Sequence, residues 1–106
     1  MAETELNTGS LAWKVYRLTE KAIQLIEATR VDDAIAVVDN RERLLNLLAT
    51  RVDVTAADAE LLGQAERLNQ LLLTKFEEVR ERLKREISQT HKNAEVHRAY
   101  HPTPVK

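Results

Sequence analysis

The chain has 106 residues, 43% of them hydrophobic and 31% charged, with two glycines, two prolines and no cysteine. That length builds a single core, the wealth of helix formers and scarcity of turn formers favour an all-α bundle, and the missing cysteines exclude disulfides and thiolate metal sites. A formal net charge of -1 supplies too weak a field for a nucleic-acid binder or a polybasic membrane binder.

Residues 1–9 are polar and read as a loose leader, with Ser10 as the candidate N-cap of a first helix. From Leu11 an apolar stripe of Leu11, Val15, Leu18, Ala22, Leu25 and Ile26 shares one face, with Tyr16 and Ile23 on its shoulder, and predicts a helix to about Ala28. Trp13, the only tryptophan, falls roughly 200° around the helix from Leu11. It either packs at a bundle end or stays partly exposed for a partner. Residues 29–33 form the first break. It holds no glycine, so the connection is short and the flanking helices antiparallel; Thr29 or Asp32 can cap the second helix, whose positive end suits Asp32 and Asp33. Helix two presents Val31, Ala34, Ile35, Val38, Leu45, Leu48 and Ala49 as one face. Val37, Leu44 and Leu47 make a second apolar edge, and a narrow wet strip runs around Asp39, Asn40, Glu42, Arg43 and Asn46.

Residues 51–55 are the second break. Thr55 with Asp58 has the form of a capping box, aspartate standing in for the usual Glu or Gln. The third helical pattern then extends over residues 55–97, where Leu61, Ala65, Leu68, Leu72, Phe76, Val79, Leu83 and Ile87 recur every three or four positions with one glycine, Gly63, among them. Unbroken, it would run roughly 60 Å, about twice what the shorter helices can cover. Leu71 and Leu73 widen the stripe in its middle. After Ile87 the repeat weakens, which suggests a hinge or fraying end over 88–93, and Pro102 and Pro104 end the helix before a flexible tail, residues 99–106. The fold expected is therefore an antiparallel three-helix bundle: a helical hairpin plus one long third helix.

Catalysis is not expected. There is no glycine-rich phosphate loop and no GxSxG turn, and His91, His97 and His101 all lie in the last sixteen residues. Pro102 pushes His101 out of helical geometry, so His97 and His101 do not share a face and neither a metal nor another cofactor is expected. No apolar run approaches the roughly 18 residues of a spanning helix, and the N-terminus lacks a signal-peptide pattern. A cytoplasmic protein without membrane insertion follows. The last segment, from Lys84 on, balances at +3 against -4 for the rest, and can steer toward an acidic surface.

Three helices of such unequal length leave apolar edges over. Val37, Leu44 and Leu47 on helix two, with Leu68, Leu71, Leu72, Phe76 and Val79 on helix three, form a candidate groove for an amphipathic guest helix. The competing reading takes the same residues as plain core or as the seam of a homodimer.

The order of features resembles the FliT family of flagellar type III export chaperones. The likeness is carried by Trp13 near the start of the first helix, the run from Asp32 to Leu48 with Arg41-Glu42-Arg43-Leu44-Leu45 at its centre, and Arg98-Ala99-Tyr100 near the end. The resemblance implies a chaperone that keeps the filament-cap protein soluble by holding its C-terminal helix in an apolar groove. It also implies that Tyr100, by its place in the Ala-Tyr pair, docks the loaded chaperone on the cytoplasmic domain of the export gate. Some members carry a fourth helix that covers the groove; only residues 90–100 are left here to make one. The sister FlgN-like family, serving hook-filament junction proteins, and a structural coiled-coil module that dimerises are the alternatives.

Overall fold

A computed structural model describes the backbone of residues 7–100 and the side chains of residues 7–95. It contains three helices: α1 (Thr8–Glu27), α2 (Val31–Leu48) and α3 (Ala56–Tyr100). The chain divides within α3 into two compact units, Met1–Phe76 and Glu77–Lys106.

In the first unit α1 starts one turn earlier than its apolar stripe suggests. Asn7, not Ser10, is the N-cap, its side-chain oxygen accepting from the Ser10 backbone N–H at 2.7 Å. Both residues are good caps. The earlier start has a tertiary reward, because it brings Thr8 into the protein, where its hydroxyl donates to Asp53 in the α2–α3 connection at 2.6 Å. The core-facing side of α1 is Leu11, Ala12, Val15, Thr19, Ala22, Ile23 and Ile26, with Leu18 and Leu25 half-buried at its border.

The link from α1 to α2 is tight. Thr29 takes a left-handed backbone conformation, φ 62°. The Thr29 N–H donates to Ile26 C=O at 3.0 Å and the Arg30 N–H to Leu25 C=O at 2.9 Å, the paired bonds that close a helix when the residue after its end turns left-handed. Neither Thr29 nor Asp32 caps α2: Arg30 holds the N-cap position without a side-chain cap bond, and its guanidinium instead grips Asp33 at 2.6 Å.

Arg41 and Thr19 fix the register of the hairpin. The Arg41 Nε donates to the Thr19 hydroxyl at 2.7 Å, and that hydroxyl donates on to Val15 C=O at 2.8 Å. Arg41 is only 3% exposed. The buried side of α2 is accordingly Ala34, Arg41, Leu44 and Leu48, rotated from the expected face, while Ile35 points largely to water. The rotation has a simple cause: an arginine at a core position breaks the apolar periodicity that locates a buried face.

The first part of α3 closes the unit. Its start is the expected box, Asp58 N–H donating to Thr55 Oγ1 at 3.1 Å and Thr55 N–H to the Asp58 carboxylate at 3.2 Å. A side chain at Gly9 would sit 3.5 Å from Asp58, and Lys75 reaches Glu27 at 3.0 Å, so α1 and this part of α3 run parallel while α2 runs against both. Leu11, Val15, Leu44, Leu48 and Ala65 form the core, with Tyr16, Leu18, Leu45, Leu47 and Leu62 packed on it.

In the second unit, α3 is helical without interruption to Tyr100, including the stretch 88–93 where a hinge or fraying end was expected. Polar pairs along its own surface sustain it there: Gln89 with Asn93 at 3.0 Å and His91 with Glu95 at 3.1 Å. The leader residues 1–6 and the tail residues 101–106 lie outside the described residues.

Candidate functional site

The eight residues expected to line a groove divide by burial. Leu44 and Leu72 are 0% and 1% exposed and Val79 is 8% exposed, so these three are packed. Val37, Leu47, Leu68 and Phe76 are half-buried. Leu71 alone is open, at 45%. The bundle register separates the groove further: with Arg41 beside Thr19, Asp58 beside Gly9 and Lys75 beside Glu27, Val37 lies level with Leu71 on α3, whereas Leu47 lies toward the other end, packed on the cluster that Leu62 also joins. Of the expected groove residues, Val37, Leu47, Leu68, Leu71 and Phe76 keep accessible surface within the first unit.

A further accessible apolar surface is in the second unit. Leu83 and Ile87 are 43% and 70% exposed. Together with Glu86, Thr90, His91 and Ala94 they line a shallow apolar depression. Leu83, Ile87, Thr90 and Ala94 recur at spacings of four, three and four, the helical repeat that keeps residues on one face. Arg80 and Glu77 pair at 3.2 Å with both side chains in water, and His91 with Glu95 borders the depression. Fully burying side chains such as Leu83 and Ile87 would contribute about 1.5–3 kcal/mol each. An amphipathic partner helix is the ligand such a strip suits.

Leu83 and Ile87 stood in the apolar repeat of α3 but not among the expected site residues. Their signal was length: a 45-residue helix beside partners of 20 and 18. Tyr100 is helical in backbone, and its side chain, like those of His97 and Arg98, lies outside the described residues. Trp13 is 51% exposed, the partly exposed of the two alternatives. Among the described residues no three His, Asp or Glu side chains converge on a metal position, and no helix is long and apolar enough to cross a membrane.

The family described as flagellar protein FliT matches residues 11–102. Comparison with curated proteins and with solved structures gave no match of significance. The match spans all three helices, from the start of the α1 stripe to beyond Tyr100, and the observed helical bundle is the architecture that the resemblance implied. The chain belongs to the FliT family of flagellar export chaperones.

Proposed function

We propose that this protein is the export chaperone of a filament-cap protein, holding the C-terminal helix of that client and delivering it to the export gate. The supporting observation is the strip Leu83–Ile87–Ala94, a helical apolar face open to solvent in a member of a chaperone family. Covering that strip removes apolar area from water on both partners, which drives association and keeps the client's own apolar helix from aggregating. In this reading the client contacts Leu83 and Ile87, and Val37, Leu68 and Leu71 offer a second, smaller contact. Tyr100 is the docking residue for the cytoplasmic domain of the gate.

Co-expression with the C-terminal segment of the filament-cap protein tests the client. Co-purification of that segment in preference to the equivalent segment of a hook-filament junction protein supports the reading, and the reverse preference assigns the chain to FlgN-like duty. For the gate, Tyr100→Ala is expected to leave client capture intact while docking of the loaded chaperone weakens at least tenfold. Undiminished docking removes Tyr100 from the site.

A further inference from the structure

A second surface lies on the outer side of α1, and it has a different chemistry. Tyr16 is half-buried and packs on the core cluster. Trp13 is laid flat against it, ring centroids 5.5 Å apart and planes within 10°, and the Arg17 guanidinium sits 6.0 Å from the Trp13 ring centre. Lys14, Arg17 and Lys21 follow at spacings of three and four, so they line the same side of the helix. They frame a shallow depression with Leu18, Glu20 and Gln24. Glu20 is the one acid there. It meets Arg17 at 3.6 Å with both side chains well exposed, a pairing that neutralises little in water.

Three features suit this face to docking. The exposed indole is pre-positioned by its stack on an anchored tyrosine, so a partner closing over it need not order it. Tryptophan and arginine are the residue types that dominate binding energy at interfaces. The positive excess spread over Lys14 to Lys21, about 10 Å of helix, sets the sign of the partner. We propose that this face docks an acidic peptide segment of a protein partner, its carboxylates meeting Lys14, Arg17 and Lys21 and an apolar side chain covering Trp13. A lipid surface fits less well, because an interfacial helix inserts a broad apolar face and that of α1 is already in the core.

Trp13 is the only tryptophan, so its emission reports on this face alone. The full chain is titrated with a terminally blocked octapeptide of six glutamates and two leucines. A saturable change in Trp13 emission is expected, weakening as salt is raised, with at least tenfold lower affinity in Lys14→Glu/Lys21→Glu at unchanged far-UV circular dichroism. Calorimetry on Trp13→Ala is expected to give a similar loss. The proposal is overturned by no response, by equal affinity of the charge-reversed variant, or by an equal response to the peptide with glutamine for glutamate. A response confined to phosphatidylglycerol vesicles also overturns it. Binding that emerges only when residues 1–6, which include Glu3 and Glu5, are deleted assigns the face to the chain's own leader and overturns it too.

Discussion

Arg41 carries its charge into the hairpin with two partners, the Thr19 hydroxyl and the carboxylate of Glu42 at 3.2 Å. The carboxylate is largely in water, so removing Arg41 strands no buried anion, and Thr19 retains Val15 C=O as acceptor for its own proton. What the arginine supplies is volume and register. Arg41→Ala is expected to cost about 2–3 kcal/mol through the space it leaves, whereas Arg41→Met, which fills that space without a charge to desolvate, stays within about 1 kcal/mol of the parent. Urea denaturation compares them, and equal losses would assign the effect to the guanidinium itself. Asp53 works the opposite way, at the surface. The hydroxyl of Thr8, donating to it, holds its carboxyl below the usual range; burial opposes this, and its own backbone N–H and Arg51 add to the lowering. A folded-state pKa below the unfolded one contributes stability above the unfolded pKa and loses it as pH falls through the folded one. The stability advantage over Asp53→Asn is therefore expected at neutral pH and shrinks on acidification through the carboxylate range; a difference independent of pH would contradict it. Thr29 is the third such residue. A β-branched side chain at φ 62° is strained where glycine is not, so Thr29→Gly is expected to raise stability by about 1 kcal/mol, read as a higher urea midpoint.

The three helices themselves follow from patterns that sequence displays openly: runs of helix formers, an apolar repeat near 3.6, and the Thr55–Asp58 box. Which face of α2 is buried did not follow, because Arg41 occupies a core position and interrupts the apolar pattern there, so that face read only as a second edge. The cap of α1 was expected at Ser10, three residues past Asn7, because the long-range bond from Thr8 to Asp53 that favours the earlier start leaves no local signal. Nor does periodicity tell a covered stripe from an open one. In α3 the apolar positions repeat every 11 residues, Leu61, Leu72, Leu83 and Ala94 in one row and Ala65, Phe76 and Ile87 in another. Eleven residues make three turns of nearly 3.67, so the repeat continues with little drift, yet Leu72 is buried where Leu83 is 43% exposed, and Ala65 is buried where Ile87 is mostly in water. Identical positions in the repeat thus carry different energies. Leu72→Ala is expected to cost about 2–5 kcal/mol and Ile87→Ala less than about 0.5 kcal/mol, compared by chemical denaturation. Similar losses at both positions would mean that the Ile87 face is covered in solution.

At the scale of the whole molecule, the first unit satisfies itself, closing two helices and the start of a third around Leu11, Val15, Leu44, Leu48 and Ala65. The second unit carries the same apolar repeat as an open strip. The mismatch of helix lengths was legible in the sequence; the groove residues expected from it include Leu72 and Val79, which are packed, whereas Leu83 and Ile87, which we propose as the client contact, are more exposed. The match to a chaperone family supports our proposal that this strip is the client surface. The decisive measurement is isothermal titration of the filament-cap protein's C-terminal helix into the full chain and into Leu83→Gln/Ile87→Gln, two exposed changes that retain the helix. Saturable binding by the parent and at least tenfold weaker binding by the variant, at unchanged circular dichroism, is the predicted result; equal affinity for both would place the client elsewhere and contradict the account.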